Sequence, residues 1–593
     1  MRRLFTRRQY RHHEVDPDEI FLDSSNLPNF DTDQFEGRIE TPIPRSTMYI
    51  VASIFLLVAL LYLGQAFKLQ FFEGSKWSKL AENNRLHHSL LFAERGVIQD
   101  RNGVLLAWNK IGKNQNGSTT EEDFASRIYR DHLGTHSLIG YVKYPRKDKS
   151  GYYYNTEYAG ADGVESFFDS ILKGQPGMKL TETDVQGHVI SESVMRPALK
   201  GTNITLTVDV RIQEYLYDSM KEIVNRSGFI GGAGMIMDVR SGEVIAAISY
   251  PGYDANIMTS ATNTPAIKGY LSDSKKPFLD RIAQGLYTPG SIVKPFFALA
   301  ALQEQIISPD KQIESTGELK LPNPFKPGEF SIFKDWKAHG YTDMREAIAV
   351  SSDVYFYQIG GGYLNQQKGL GILKIDEYAH QFGLGGAVTS GFFKGKAGII
   401  PTPEWKEKNF DGDIWRVGDT YNTAIGQYGF QVTPAQVVRA VSVLANKGTL
   451  YDPYIFKSIG EKDESGVNQT PAQVSATRKD IEDTITKKVE ITNPEYYRIV
   501  QEGMRMTVTE GTMQALNVPY VKIAGKTGTA QVGVNNQFIN SWTTGFFPYE
   551  SPKYAFVVMM ERGPSDAIYG GTAAMALLIE KMNLYTPEYF KVD

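Results

Sequence analysis

Between Arg45 and Lys68 the chain runs for 22 residues (46–67) without a charged side chain, and most of these residues are apolar. A helix rises ~1.5 Å per residue, so one helix of this length crosses the ~30 Å hydrocarbon layer of a membrane. A helix in a protein core would normally carry polar positions, and a signal peptide would have a shorter apolar region followed by a small-residue cleavage site. The run therefore predicts a single, uncleaved transmembrane helix at residues 47–67.

The segment before this helix, residues 1–46, contains seven arginines and nine acidic residues. Acidic residues contribute little to the positive-inside rule, so the arginines favour a cytoplasmic location for this tail. The rest of the chain then lies outside the cytoplasm. We therefore expect a single-pass protein of the cytoplasmic (inner) membrane, with its large folded part on the extracytoplasmic, periplasmic side.

The overall composition excludes several classes of protein. A chain of 593 residues with 41% hydrophobic and 22% charged residues is typical of a multidomain globular protein with large cores. The net charge of −4 gives no reason to expect a nucleic acid ligand. The absence of cysteine excludes disulfides, thiolate catalysis and cysteine-containing zinc sites.

The character of the sequence changes near residue 228. Residues 68–227 contain short strand-like runs and turn signals, which predict a β-rich domain that we call the pedestal. In residues 228–593, strand-like runs such as Gly234–Asp238 and Tyr554–Met560 stand near the two ends and enclose helix-rich sequence. This arrangement predicts one sheet assembled from distant segments, in a mixed α/β domain.

Ser291 and Lys294 stand three residues apart, directly behind a Pro-Gly turn. The apolar run Pro295–Leu302 follows, which predicts that a buried helix begins here. Residues three apart share one face of a helix, so the serine hydroxyl and the lysine amine would be neighbours. A Ser-x-x-Lys pattern is weak evidence alone, because short patterns of common residues recur by chance.

Two further motifs follow downstream. Sixty residues after Ser291 comes Ser351–Asp353 (Ser-Ser-Asp), at the end of a predicted helix or in the loop beyond it. Another 175 residues later comes Lys526–Thr529 (Lys-Thr-Gly-Thr), behind a short run typical of an edge strand. The order Ser-x-x-Lys, Ser-x-Asp, Lys-Thr-Gly is the three-part signature of serine enzymes that act on β-lactams and D-alanyl-D-alanine peptides.

The chemistry of these motifs predicts a catalytic set of five residues. A serine hydroxyl is a weak nucleophile until a base takes its proton. Lys294 is the predicted base for Ser291, because desolvation and a second cation, Lys526, both lower the pKa of a lysine. Ser351 is predicted to relay a proton to the leaving amine. Asp353 is predicted to fix this loop and to accept a hydrogen bond from substrate amides.

The three residues after Lys526 form the predicted substrate-binding set. Thr527 and Thr529 offer hydroxyl groups to a terminal carboxylate, and Gly528 stands between them. The strand that carries them can present backbone groups to an extended peptide. The backbone N–H groups of Ser291 and Thr529 are predicted to form an oxyanion hole, helped by the N-terminus of the helix behind Ser291.

With these motifs in order behind a membrane helix, the chain resembles the class B penicillin-binding proteins, which are monofunctional peptidoglycan D,D-transpeptidases. Two segments of this chain resemble motifs of the family's pedestal: Arg95–Gly103 and Leu206–Asp209. Three further segments resemble motifs of the family's transpeptidase domain: Asp238–Asn256, Ile425–Gln427 and Trp542–Pro548. The resemblance implies a penicillin-binding/serine β-lactamase-like α/β domain, preceded by an elongated β-rich pedestal and a single transmembrane helix.

The resemblance also implies an activity and partners. Ser291 would attack the D-alanyl-D-alanine bond of a peptidoglycan stem peptide and release D-alanine, and an amine of a neighbouring stem would resolve the acyl-enzyme. β-Lactams would be inhibitors, and neither a cofactor nor a metal is expected. Because the chain shows no glycosyltransferase motifs, its implied partners are a lipid-II glycosyltransferase with many membrane spans and other elongation-complex proteins.

Residues near the second motif favour the elongation-type branch of the family, which maintains cell shape. Division-type members usually carry asparagine where this chain has Asp353. The run Phe333–Trp336, followed by His339-Gly340, points to the same branch. Ser352 stands where some elongation-type members have a cysteine, so no zinc site is expected. We interpret His339 as a buried, hydrogen-bonding residue and not as a metal ligand.

Several points stay open at the level of the sequence. Tyr428 follows Gly426-Gln427 where the family often has glycine, which leaves the local backbone shape undecided. A β-lactamase or carboxypeptidase would use the same nucleophile with water as the acceptor, although no deacylating glutamate is identified. A division-type (septal) transpeptidase also stays open, as does an inactive or β-lactam-sensing scaffold. A sensor would be expected to carry more membrane spans.

Overall fold

The computed structural model describes residues 43–110, 124–149, 153–155, 157–184, 188–323, 326–388, 391–460 and 485–592. The predicted cytoplasmic tail lies outside the described residues, except for 43–46. The described part of the chain falls into two compact units. The first contains the first two helices and a short segment from Thr183, and the second contains almost all of the chain from His88 onward.

The described α-helices are α1 Arg45–Phe67, α2 Gly74–Arg85, α3 Leu133–Ile139, α4 Gly163–Phe167, α5 Asp169–Leu172, α6 Val210–Ser227, α7 Ala255–Ser260, α8 Thr264–Ser272, α9 Lys294–Gln303, α10 Met344–Val350, α11 Asp353–Gly361, α12 Ile372–Gln381, α13 Pro403–Asn409, α14 Val417–Ala424, α15 Pro434–Asn446, α16 Glu495–Thr509 and α17 Gly570–Tyr585.

The described strands are β1 Leu86–Leu91, β2 Ile98–Gln99, β3 Leu105–Lys110, β4 Ser126–Tyr129, β5 Val142–Lys143, β6 Arg146–Lys147, β7 Tyr153–Asn155, β8 Ala159–Gly160, β9 Gly177–Thr183, β10 Val189–Arg196, β11 Ile204–Leu206, β12 Gly231–Asp238, β13 Val244–Tyr250, β14 Ile313–Ser315, β15 Glu318–Pro322, β16 Phe330–Lys334, β17 Gly340–Thr342, β18 Thr449–Tyr451, β19 Phe456–Ile459, β20 Ile485–Lys488, β21 Ala524–Val532, β22 Phe538–Phe547 and β23 Tyr554–Pro564.

The first unit is dominated by one long apolar helix. Helix α1 continues through a π-helical turn, Lys68–Phe72, so that a helix of 28 residues runs from Arg45 to Phe72. Its most apolar 18-residue window has a mean hydropathy of 2.3, and none of α1 is buried against protein. Among the described helices it is the one long and apolar enough to cross a membrane, and it contains the transmembrane helix predicted at 47–67.

The second unit is built on a five-stranded antiparallel sheet with the order β13-β12-β23-β22-β21. Strands β12 and β13 end by Tyr250, whereas the other three begin at Ala524. The sheet therefore joins segments more than 270 residues apart in the chain. This confirms the predicted α/β domain with a sheet assembled from both of its ends.

Helices cover both faces of this sheet. On strand β12, Ile236 belongs to the core cluster that contains α6 and α17, whereas Met235 and Met237 belong to the cluster that contains α9 and α15. Successive side chains of a strand point to opposite faces, so β12 is buried on both sides along its length. This burial explains why the strand has no polar side chain before Asp238.

The predicted pedestal motif at Arg95–Gly103 forms a β-hairpin, in which β2 and β3 pair antiparallel. The Nε of Arg95 lies 2.5 Å from one carboxylate oxygen of Glu165, and the Nε of Arg127 lies 2.8 Å from the other. All three side chains are fully buried. Without Glu165, the buried guanidinium of Arg127 would lose this ion pair and that of Arg95 would keep only Asp169, at 2.7 Å, so the carboxylate stabilises the packing of this motif.

Candidate active site

Ser291 lies in a tight turn at the start of a buried helix. Gly290–Val293 form one 3₁₀ turn, and α9 begins directly after it at Lys294. Gly290 has a φ of 58°, a conformation that glycine adopts without steric cost, and its N–H donates to the carbonyl oxygen of Gly426 at 2.9 Å. The predicted helix is present, with the serine in the 3₁₀ turn that precedes its α-helical part.

The serine turn packs directly against β21, the edge strand that carries the Lys-Thr-Gly motif. A Cβ atom added to Gly528 would lie 2.7 Å from the carbonyl oxygen of Pro289, which leaves no room for a side chain. Glycine at this position therefore allows the strand to lie against the turn. Neighbouring strand β22 also holds the turn, since the indole Nε1 of Trp542 donates to the carbonyl oxygen of Thr288 at 3.0 Å.

The buried ammonium group of Lys294 joins the first two motifs. Its Nζ donates to Asp353 Oδ1 at 2.6 Å, to the carbonyl oxygen of Ser351 at 2.8 Å and to Ser351 Oγ at 3.4 Å. The side chain of Asp353 remains 18% exposed, so one side of the pair faces solvent. The structure thus brings three of the five predicted catalytic residues into direct contact, one turn from Ser291.

The backbone between α10 and α11 directs Ser351 toward Lys294. Helix α10 ends at Val350, and Ser351 follows in the left-handed region with a φ of 61°. Ser352 then caps α11, because its Oγ accepts a hydrogen bond from the N–H of Tyr355 at 3.3 Å. A left-handed conformation is uncommon for a residue other than glycine and persists only where surrounding contacts enforce it.

Lys526 is fully buried in β21, and its Nζ donates to the carbonyl oxygen of Thr527 at 3.0 Å. Burial lowers the pKa of Lys526 well below its ordinary value, and Lys294 lowers it further, while Asp353 opposes both effects. Burial raises the pKa of Asp353, an effect that Lys294 opposes and the neighbouring Asp335 reinforces. The two lysines and the aspartate therefore form one electrostatically coupled group.

We expect the substitution Lys526→Met to stabilise the fold while it impairs the site. An apolar side chain of similar length removes the cost of burying a charged amine, on the order of 1–3 kcal/mol at neutral pH. The pKa of Lys526 is depressed in the folded state. At pH values between that pKa and about 10.4, the unfolded chain therefore binds more protons than the folded chain. Wild-type stability therefore rises with pH across this window, and thermal melts should show the advantage of Lys526→Met shrinking as the pH is raised.

The matched control for this experiment is Lys522→Met. Lys522 precedes β21 and its side chain is 61% exposed, so replacing it removes no buried charge, and the stability of this variant relative to the wild type should change little with pH. If the difference between Lys526→Met and the wild type also stayed constant from neutral to alkaline pH, the buried amine would not be its cause.

The predicted substrate-binding residues Thr527 and Thr529 are both half-buried, on alternate positions of β21 and therefore on one face. Thr512 Oγ1 lies 2.6 Å from Thr527 Oγ1, and Gln427 Nε2 donates to the carbonyl oxygen of Thr529 at 3.4 Å. Sequence reasoning assigned no role to either supporting residue. Gln427 belongs to the motif Ile425–Gln427, which resembles one of the family's transpeptidase motifs. The local sequence around Thr512 contains no pattern that would predict its contact with Thr527.

Tyr428 takes the left-handed backbone conformation that glycine would adopt easily, with a φ of 60°. Its ring packs against Trp405, Phe410 and Trp415, with ring centroids 5.8, 5.9 and 6.0 Å away. Such a conformation is costly for a bulky residue, and aromatic packing is a compensation that glycine lacks. The departure from the family pattern therefore keeps the turn and adds an aromatic cluster beside it.

The second motif lies beside an aspartate that accepts a hydrogen bond from it, and a histidine lies within ion-pair distance of that aspartate. Ser352 Oγ donates to Asp335 Oδ2 at 3.0 Å, and His339 Nε2 lies 3.4 Å from Asp335 Oδ1. His339 is buried, as predicted. In the part of the chain that the structure describes, no three His, Asp or Glu side chains gather as a metal site requires.

Two family models match this chain. The model described as Penicillin binding protein transpeptidase domain matches residues 232–582, more than half of the chain. The model described as Penicillin-binding Protein dimerisation domain matches residues 117–206. The first match contains all three motifs of the candidate site, and the second lies within the predicted pedestal.

Known relatives and solved structures agree with these matches. The Peptidoglycan D,D-transpeptidase MrdA of Haemophilus influenzae is 31% identical over 481 residues, which cover 77% of this chain and 69% of that protein. The structure of Pseudomonas aeruginosa PBP2 in complex with WCK 5153 is 26% identical, with a TM-score of 0.65, and the likeness covers 86% of this chain and 98% of that one.

A third likeness concerns the fold alone. A chain in a structure titled for the coordination of polymerization and crosslinking by a peptidoglycan synthase complex has a TM-score of 0.66 and 24% identity, covering 92% of this chain and 99% of that one. Taken with the transpeptidase match over residues 232–582 and the relatedness to MrdA, the three motifs assembled around Lys294 place the chain in a known family. The chain belongs to the class B penicillin-binding proteins, in their elongation-type branch.

Proposed function

We propose that this chain is a peptidoglycan D,D-transpeptidase, which cross-links stem peptides through a serine acyl-enzyme during cell-wall elongation and so maintains cell shape. The observation that carries the proposal is the contact of Lys294 Nζ with Ser351 and Asp353, at the start of the helix that follows Ser291. This contact supports the proposed roles of Lys294 as base and Ser351 as proton relay, and Ser291, the proposed nucleophile, stands in the turn directly before Lys294. The activity in the name of the Haemophilus relative is the same one.

Acylation is the first step of the proposed mechanism. The hydroxyl of Ser291 attacks the carbonyl carbon between two D-alanines, and its proton passes to the amine of Lys294. That amine first gives up a proton, for which Asp353 is an acceptor at 2.6 Å whose pKa burial raises. Ser351 delivers a proton to the leaving nitrogen and receives in its place the proton that Lys294 took from Ser291, so that D-alanine departs as the C–N bond breaks. The product is an ester between Ser291 and the shortened stem peptide.

Deacylation regenerates the enzyme and forms the cross-link. An amine on a neighbouring stem peptide attacks the ester carbon, and Lys294 and Ser351 take up its proton. The new amide bond joins the two stems as the ester C–O bond breaks, and the proton taken from the amine passes to the departing oxygen, which restores the Ser291 hydroxyl. In both steps negative charge develops on the carbonyl oxygen, where the backbone N–H groups of Ser291 and Thr529 would stabilise it.

Edge strand β21 is the proposed platform for the donor stem peptide. An extended peptide can add to an exposed strand edge through backbone hydrogen bonds. Thr527 and Thr529 would bind the terminal carboxylate with their hydroxyl groups, and Gly528 keeps the strand close to Ser291. A bound carboxylate would favour the protonated, positively charged form of Lys526, against the burial that lowers its pKa. β-Lactams would enter the same site as inhibitors, because they present a reactive amide and a carboxylate together.

We further propose the following topology. Residues 1–46 form a cytoplasmic tail, residues 47–67 cross the cytoplasmic membrane, residues 68–227 form the pedestal and residues 228–593 form the periplasmic transpeptidase domain. Support comes from the apolar helix Arg45–Phe72 and from the seven arginines before it.

The proposed partners are proteins of the elongation complex, above all a polytopic lipid-II glycosyltransferase. Cross-linking needs polymerised glycan strands, and the two family models that match this chain describe a transpeptidase domain and a dimerisation domain. The structure titled for a peptidoglycan synthase complex, in which polymerization and crosslinking are coordinated, contains a chain of similar fold. A transpeptidase that works beside a separate polymerase would fit this arrangement.

The test uses the purified full-length chain in detergent with uncross-linked glycan strands that carry intact stem peptides. We expect cross-linked peptide dimers and free D-alanine in equal amounts, and benzylpenicillin should block both. Release of D-alanine with shortened monomers and no dimers would indicate a carboxypeptidase. Rapid turnover of the bound penicillin would indicate a β-lactamase, and no product with any substrate would indicate an inactive scaffold.

A further inference from the structure

One buried carboxylate outside the predicted catalytic set binds the Ser-x-Asp turn. Asp335 lies directly after β16, and its side chain is completely buried. Its Oδ2 accepts hydrogen bonds from Ser315 Oγ, from Ser352 Oγ and from the N–H of Val354, each at 3.0 Å. A single oxygen atom thus connects strand β14, the turn and the first residues of α11.

The second oxygen of this carboxylate is engaged as well. Oδ1 of Asp335 accepts from the N–H of Trp336 at 2.8 Å and lies 3.4 Å from His339 Nε2. Burial raises the pKa of Asp335, but the hydrogen bonds it accepts and the nearby charge of Lys294 outweigh burial and hold that pKa well below its usual range. Both oxygens therefore act as acceptors, which an ionised carboxylate provides and an amide of the same size does not.

The groups that donate hydrogen bonds to Asp335 stand next to Asp353 in the chain, so Asp335 affects where Asp353 lies. Ser352 and Val354 flank Asp353, so one carboxylate oxygen holds the backbone on both sides of the residue that pairs with Lys294. Ser352 also follows the left-handed residue whose carbonyl and hydroxyl oxygens contact the same lysine. Any shift of Asp335 would move all of these acceptors together.

We propose that Asp335 is a positioning residue for the reaction: through the segment Ser352–Val354 it sets the geometry of the hydrogen bonds that Lys294 makes. This proposal rests on the proposed acylation of Ser291. Asp335 acts through the turn and takes no part in proton transfer itself. Because a misplacement of about 1 Å in a catalytic group costs on the order of 100-fold in rate, removing this anchor should slow the chemistry without removing the site.

The test is Asp335→Asn in the full-length chain, with a fluorescent penicillin as the probe and a time course of covalent labelling as the readout. We expect acylation to slow by about 10- to 100-fold, while the fraction finally labelled stays at the wild-type level and the concentration for half-maximal rate changes little. If Asp335 only stabilised the fold, the labelled fraction would fall and the surviving molecules would react at the wild-type rate. That second result would overturn the proposal.

Asp343→Ala is the matched control, because Asp343 caps the N-terminus of α10, the helix that leads into the same turn. It should lower the melting temperature and leave the acylation rate at the wild-type value. Equal slowing in both variants would overturn the proposal. Ser315→Ala, which deletes one hydrogen bond to Asp335 Oδ2 and no helix cap, decides the matter if Asp335→Asn does not fold. Acylation about 3- to 10-fold slower supports the proposal, and an unchanged rate overturns it.

Failure of this proposal is distinguishable from failure of the proposed function. A wild-type chain that takes no covalent label would overturn the proposed function, and this proposal with it. A labelled wild type together with full-rate labelling of Asp335→Asn would overturn this proposal alone.

Discussion

Ser291→Ala is expected to abolish covalent labelling of the full-length chain by a fluorescent penicillin. A β-lactam ring opens when an oxygen nucleophile attacks its carbonyl carbon, and the resulting ester is what survives denaturation. Alanine removes that oxygen and changes little else, since Ser291 is half-buried in a turn held by backbone contacts of its neighbours. Labelled bands after denaturing electrophoresis should therefore fall from full intensity to background.

Two measurements make this result interpretable. Ser260→Ala, at an exposed serine of the same domain, should label like the wild type. Thermal melts of Ser291→Ala should match the wild type within a few degrees, because no cavity or buried unpaired group is created. Persistent labelling of a folded Ser291→Ala protein would show that another residue is the nucleophile, and the mechanism proposed above would have to be abandoned.

Lys294→Gln is expected to have the next largest effect, a fall in acylation rate on the order of 10²- to 10⁴-fold, the usual range for loss of a general base. Glutamine retains polar contact with Ser351 and Asp353 but neither accepts a proton from Ser291 nor carries charge. The substitution also leaves Asp353 without the ammonium 2.6 Å away. The rate of labelling, measured under saturating fluorescent penicillin, is the direct readout.

A matched control separates catalysis from stability in this experiment. Lys406 is another buried lysine of the domain, paired with Asp419 at 2.7 Å and with Asp413 at 3.0 Å. Lys406→Gln should lower the melting temperature by a comparable amount, yet its folded fraction should react at the wild-type rate. If the two variants were labelled equally fast, Lys294 would have no role as a base.

Much of the fold and the site was predictable because the signals are local. Twenty-two uncharged residues are enough to predict a membrane helix, and Ser291 and Lys294 are neighbours on one turn in any helical conformation. The Lys-Thr-Gly strand also follows from its own composition. Its place at the edge of the sheet, predicted from the short apolar run before it, is confirmed by the pairing of β21 with β22 alone among the described strands.

Other features have no local signal. The contact between Lys294 and Asp353 joins residues 59 positions apart. From the sequence, Asp353 was predicted to fix its loop and to accept a hydrogen bond from substrate amides, whereas in the structure its carboxylate pairs with Lys294. Asp335 appeared in the sequence only as a marker of the elongation branch, although it anchors the turn. The hydroxyl contact of Thr512 with Thr527 depends on how α16 leads back into β21.

Local sequence was enough to predict a helix long and apolar enough to cross a membrane, the α/β class, the order of the three motifs and the kind of chemistry, because hydrophobic patterning and residue type decide these features. The tertiary structure alone decided which acceptors surround Lys294, why position 528 must be glycine and what holds the Ser-x-Asp turn. The physical reason is distance. Hydrogen bonds and steric contacts act over about 3–4 Å, and only the packing of helices against the sheet brings segments that are remote in the chain within that range.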